Sequence, residues 1–90
     1  MIKKITYRYI AIAIEKGYLN SEGKNEELDT WQVAMLCERI CFLAGNPKKW
    51  VLAHEIGGLK PGSYRMAQLR ALDNKLEAGG FLKRLERDFN

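Results

Sequence analysis

Apolar residues recur at helical spacing along most of the chain and predict four to five helices. In residues 3–18 they alternate as in a strand but also wrap a helix, and the alanines and the ending at Gly17 favour the helix. After a polar loop, Asp29 is the predicted N-cap of a second helix over about Thr30–Ala44, with Gln32 in capping-box register. This helix is apolar on nearly all sides, so we expect its neighbours or a partner chain to bury it.

A glycine turn follows the third predicted helix. Pro47 suits the first turn of that helix, with Asn46 as its cap, and the helix runs to about Ile56. Gly57-Gly58 then ends it, and Leu59 is expected to fill the core beneath the turn.

The fourth helix is predicted over Tyr64–Ala78, with Ser63 as its N-cap and Gly79-Gly80 as its end. An apolar stripe at helical spacing is expected to face the core: Met66, Leu69, Leu72 and Leu76. In the alternative, a row of small residues packs against another helix: Ala67, Ala71 and Ala78.

Residues 81–89 are compatible with two structures. Their alternating pattern fits a short β wing, whereas the spacing of Phe81, Leu82, Leu85 and Phe89 fits a terminal helix. Periodicity cannot choose between the two over so short a segment, so both remain open.

The order of these parts resembles a known superfamily. The segment from Leu52 to Arg84 reads LAHEIGGLKPGSYRMAQLRALDNKLEAGGFLKR. It is similar to the winged helix-turn-helix superfamily, whose typical member reads LAxxLGL and then a helix ending LxxLxxxGLIxR. The resemblance covers residues 50–87. From Gly58 to Gly80 there are 22 residue steps, where the family pattern has about 15, so a longer recognition helix or a larger turn is expected.

The resemblance implies a mainly α, winged helix-turn-helix-like fold and a DNA-binding regulator without catalytic activity. We expect residues 1–90 to form one small helical domain, with the helix-turn-helix-like part at 47–87. Residues 63–78 would then form the recognition helix in the major groove of duplex DNA. The small size would suit a regulator encoded by a phage or another mobile element.

Polar and cationic side chains on the fourth helix, its preceding turn and the expected wing are candidates for DNA contact: Lys60, Ser63, Tyr64, Arg65, Gln68, Arg70, Asn74, Lys83, Arg84 and Arg87. Arg can bond guanine, and Asn or Gln can bond adenine, through paired hydrogen bonds. Lys60 and the helix N-terminus are expected to meet phosphate oxygens, as are the cations of the wing.

The charge distribution supports this interpretation. The net charge is +4, and residues 1–46 hold six Lys or Arg and six acidic residues. Residues 47–90 hold nine Lys or Arg against five acidic residues, so the whole excess falls in the helix-turn-helix-like half. A basic surface of this kind attracts phosphate backbones.

The sequence contains no recognisable catalytic or metal-binding motif. Cys37 and Cys41 lie one turn apart on one predicted helix and are expected to be buried, reduced thiols. With His54 they lack a fourth ligand and the usual CxxC spacing, so no metal and no cofactor is expected. No nucleophile has a recognisable base partner and no glycine-rich phosphate loop occurs, so we expect no enzyme activity.

A rival hypothesis is a small helical module or inhibitor that binds a partner protein through exposed aromatic residues: Tyr7, Tyr9, Trp31 and Trp50. Apolar faces at Ile5–Ile14 and Thr30–Ala44 would support a homodimer, which is common among DNA-binding regulators. No apolar run approaches the roughly 20 residues of a membrane span, so a cytoplasmic protein is expected.

Overall fold

Five α-helices and no β-strand occupy residues 4–89, the part of the 90-residue chain that the computed structural model describes. In chain order they are α1 (Lys4–Glu15), α2 (Thr30–Ala44), α3 (Lys49–Gly57), α4 (Pro61–Asp73) and α5 (Lys75–Asp88). The prediction of a mainly α protein with four to five helices is therefore confirmed, and so is the helix within residues 3–18.

Helix α2 is the centre of the fold and contacts each of the other four helices. One broad face of α2 is buried, and Val33, Leu36 and Ile40 on it are 1% exposed or less, whereas Phe42 on another side is 76% exposed. Neighbouring helices therefore cover one broad face of α2, as expected, but the side that carries Phe42 is not covered within the described residues. The capping-box register also holds, because the backbone N–H of Asp29 donates to Oε1 of Gln32 at 2.8 Å.

A three-residue turn joins α3 to α4. Gly58 adopts the left-handed conformation with φ 66°, and its N–H reaches the carbonyls of the last turn of α3. Leu59 is buried beneath the turn, as predicted. Asn46 lies two residues before the observed N-cap of α3, Lys48, and its side chain accepts the N–H of Lys48 at 2.9 Å.

The predicted orientation of the fourth helix is wrong. Tyr64 and Ala67 are the buried residues of α4, and they lie on the side that faces α2 and α3. The stripe expected in the core is instead exposed to solvent by 47–94%: Met66, Leu69, Leu72 and Leu76. Small side chains such as Ala67 let two helices approach closely, so Ala67 packs in the core; of the other two alanines in the alternative row, Ala71 is half-buried and Ala78 belongs to α5.

The bounds of this helix also differ from the prediction. Pro61 occupies its first turn, where a missing N–H costs nothing, so Ser63 lies inside the helix and not at its cap. The helix ends at Asp73, and Asn74 separates it from α5. The extra length between Gly58 and Gly80 is therefore divided between two helices.

Residues 81–88 continue α5, so the expected β wing is absent from the described residues. Gly79 and Gly80 lie inside α5 and do not end a helix. One apolar face of α5 is buried in the core, and this packing outweighs the low helix propensity of glycine. The buried residues at that face are Ala78, Phe81, Leu85 and, just past the helix, Phe89.

Aromatic contacts fix α5 against the rest of the core. The ring of Phe81 meets the rings of Tyr18 and Trp31, with both pairs of centroids 5.9 Å apart in edge-to-face geometry. The ring of Tyr18 also lies 5.5 Å from that of Phe89. Tyr18 thus links the loop after α1 to the C-terminal helix.

Two glycine substitutions should change stability in opposite directions. Gly58→Ala places a Cβ at φ 66° and should lower the free energy of unfolding by roughly 1–2 kcal/mol. Gly80→Ala is the matched control, because Gly80 is exposed, helical and free of neighbours within 4 Å, and it should raise stability by about 0.5–1 kcal/mol. Urea unfolding measures both, and a stabilising Gly58→Ala would contradict the turn geometry.

Candidate nucleic-acid interface and apolar groove

Three of the predicted DNA contacts lie at or just before the start of α4. Lys60, Ser63 and Arg65 are all exposed. They lie at the N-terminus of a helix whose first backbone N–H groups have no partner within the helix. Lys48 and Lys49 add two further cations at the start of α3, and Lys48 is exposed. The start of α4 can therefore meet an anionic ligand with both charge and hydrogen-bond donors.

Two predicted contact residues face the protein interior. Tyr64 is 6% exposed, and burial, followed by the nearby carboxylate of Glu38, raises its pKa far above the usual range. Gln68 is half-buried, and its Nε2 donates to Oε1 of Glu38 on α2 at 2.6 Å. Both side chains help to join α4 to α2, a role that the sequence pattern did not predict.

Arg70 and Asn74 lie on a different flank of α4. They line a shallow polar depression together with three acidic residues, Asp29, Asp73 and Glu77. Three carboxylates around one guanidinium make the local potential less favourable for a phosphate backbone. The sequence did not predict this, because Asp29 comes from the start of α2 and is distant along the chain.

The three remaining predicted contacts, Lys83, Arg84 and Arg87, belong to α5 and not to a wing. The guanidinium carbon of Arg84 lies 4.5 Å from the centroid of the Tyr18 ring, in cation–π geometry. Nε of Arg87 pairs with Asp88 at 3.0 Å. Lys83 is exposed. Two of these three cations thus contact their own chain.

Asp88 connects these cations to the core. Its Oδ2 accepts the Tyr18 hydroxyl at 2.8 Å. The hydrogen bond from Arg87, and next the one from Tyr18, lowers the pKa of Asp88. Burial, followed by the hydrogen bond to Asp88, raises the pKa of Tyr18 to about 12.

An apolar groove between α2, α4 and α5 was not predicted. Its volume is about 570 Å³, and its walls include the exposed side chains of Leu69, Leu72 and Leu82 and the half-buried Met35. A contiguous depression, which shares Met35 and Leu82, continues to Phe42, a residue 76% exposed. Ala67 was the sequence signal for this groove, because its burial turns the leucines of α4 outward.

Both cysteines are buried without a disulfide, as expected. Burial raises the pKa of the Cys37 thiol well above its usual range, with Cys41 and Glu38 adding to the effect. Burial likewise raises the pKa of Cys41. His54 is exposed. Within residues 4–89 no group of three His, Cys, Asp or Glu side chains is arranged to hold a metal ion.

Comparisons with protein-family models, curated proteins and solved structures give no match to this chain. None of the described helices is long and apolar enough to cross a membrane.

Removing the Tyr18 hydroxyl should change both stability and its pH dependence. Tyr18→Phe loses a hydrogen bond to a carboxylate and should cost about 1.5–3 kcal/mol at pH 7. In the native protein Tyr18 keeps its proton up to a pKa of about 12, above the ordinary value of 10.0, so its contribution is complete below pH 10 and is lost between pH 10 and 12. Urea unfolding at pH 7 and 11 should therefore show a smaller alkaline loss for Tyr18→Phe than for the native chain. An equal loss would contradict the raised pKa.

The two thiols should resist chemical labelling in the folded protein. The thiolate is the reactive form, and burial disfavours it at both positions. Treatment with a thiol-specific chromogenic reagent at pH 8 should label neither cysteine until denaturant is added. Rapid labelling of both in the native state would contradict their placement in the core.

Proposed function

We propose that the chain is a non-enzymatic regulator that binds duplex DNA with the N-terminal half of α4. One observation carries the proposal: α3 and α4, joined by the short turn at Gly58, both pack on α2 with Leu59, Tyr64 and Ala67 buried, and we interpret this pair of helices as a helix-turn-helix. In such motifs the second helix enters the major groove and its N-terminal residues contact base edges. The charge excess of residues 47–90 supports the same partner.

The exposed residues define the proposed roles. Arg65 would contact a base edge, since an exposed guanidinium can bond guanine in two places, and Met66 would contact a thymine methyl group. Lys60 and Lys48, at the turn and at the start of α3, would meet phosphates. Arg70, with carboxylates around it, would contribute less than Arg65.

The winged form of the family is not part of this proposal, because α5 occupies the place of the wing in the chain. The resemblance therefore supports the helix-turn-helix alone. The aromatic residues that the rival hypothesis assigns to a protein-binding surface are dispersed in the structure. Trp31 is buried, whereas Tyr7 and Trp50 are half exposed on α1 and α3.

Binding to a labelled random-sequence duplex should be salt-dependent. Because Lys60 contributes one phosphate contact in this proposal, Lys60→Ala should reduce the slope of log affinity against log salt by about 0.9. Lys83→Ala removes the same charge from an exposed site on α5 and is the matched control, with little change expected in the slope. Fluorescence anisotropy at about 50 and 200 mM salt measures this dependence.

At the best sequence selected from the random pool, Arg65→Ala should cost about 1–3 kcal/mol in binding and relax the preference at one base pair. Arg70→Ala is expected to cost less. No binding by folded protein at the lower salt, or equal effects of Lys60→Ala and Lys83→Ala, would contradict the proposed interface.

A further inference from the structure

The apolar groove between α2, α4 and α5 has no occupant within the described chain. Leu69, Leu72 and Leu82 are 47%, 67% and 43% exposed along its walls. Exposing large aliphatic side chains to water is unfavourable in free energy. A contiguous apolar patch on a protein surface therefore usually marks a binding site. The groove is distinct from the polar depression that contains Arg70, since the two share no lining residue.

The dimensions of the groove suit a helix. Its wall on α5 runs from Lys75 to Leu82, and seven residues of helix rise about 10 Å. Two turns of a docking helix have the same length and present apolar anchors at positions i, i+4 and i+7. Met35 forms part of the floor, and its flexible side chain adapts to the shape of an incoming residue.

The charged residues at the edge of the groove indicate which kind of ligand it would bind. Arg65 and Lys75 are exposed at its edge, and neither has an ion-pair partner among the described residues. The one carboxylate in the lining, Glu38, already accepts a hydrogen bond from Gln68. Lys49 and Arg39 lie in the contiguous depression, so the rim as a whole is cationic.

A second copy of the chain fits this rim poorly. In a symmetric dimer the same patch meets itself, which would bring Arg65 and Lys75 of both copies to one interface. Like charges brought together in this way weaken association. A partner whose apolar stripe is flanked by carboxylates satisfies both the leucines and the cations.

We propose that this groove docks an amphipathic helix with acidic flanks from a partner protein. The apolar stripe of that helix would fill the space between Leu69, Leu72 and Leu82, and its carboxylates would pair with Arg65 and Lys75. This site is independent of the proposed DNA contact except for Arg65, which lies at the edge of both.

Two fluorescein-labelled, end-capped peptides of about 14 residues test this proposal. The first has leucine at i, i+4 and i+7 with glutamates on both flanks, and the second has lysine in place of every glutamate. Anisotropy with the full chain should show saturable binding of the glutamate peptide, at least about tenfold tighter than that of the lysine peptide at low salt.

Three serine variants locate the binding site. Leu72→Ser and Leu82→Ser should each weaken binding of the glutamate peptide by about tenfold, because each removes an apolar wall. Leu76→Ser is the matched control: this leucine is 94% exposed and lies outside the groove, so binding should not change. Circular dichroism of each variant checks that it is folded.

Several results would contradict the proposed docking site. Equal binding of the two peptides, no saturable binding of the glutamate peptide, or the same loss from Leu76→Ser as from Leu72→Ser would overturn the proposal. Sedimentation equilibrium completes the test, since a dimer of the native chain that Leu72→Ser converts to a monomer would assign the groove to a second copy.

Discussion

The close packing of other helices around α2 is the constraint on which the rest of the structure depends. Its side chains Val33, Leu36, Cys37 and Ile40 are almost fully removed from water, and together they form the broad buried face of the helix. One contact is especially tight, because a Cβ built on Gly57 would lie 3.0 Å from Cγ1 of Val33. A small residue at that point lets α3 lie against α2 and positions the turn that leads into α4.

The same need for close approach determines which face of α4 is buried. A stripe of long side chains would hold α4 away from α2, whereas Ala67 and the flat ring of Tyr64 let the two helices meet. Leu69 and Leu72 are consequently left at the surface beside α5. The apolar groove is thus a consequence of the packing of α4 against α2, and one helix contributes to both candidate surfaces.

Two cations of the C-terminal helix α5 make contacts within the protein that stabilise the fold. Tyr18 contacts Phe81 and Phe89 through its ring and Asp88 through its hydroxyl. Arg84 covers that ring, and Arg87 pairs with the same carboxylate. A basic sequence segment therefore does not by itself identify a ligand-binding surface, because part of its charge is used within the protein.

The sequence alone determined the helical class, the burial of one broad face of α2 with its cysteines, and the turn with Leu59 beneath it. These features depend on local periodicity, capping residues and glycine, which act within a few residues. The orientation of α4, the helix at residues 75–88 and the surroundings of Arg70 were decided by tertiary structure. In each case the deciding partner is distant in the chain: α2 for the face of α4, Tyr18 and Trp31 for α5, and Asp29 for Arg70. Hydrophobic spacing shows that a helix has faces, but only the shape of its neighbours determines which face packs most closely.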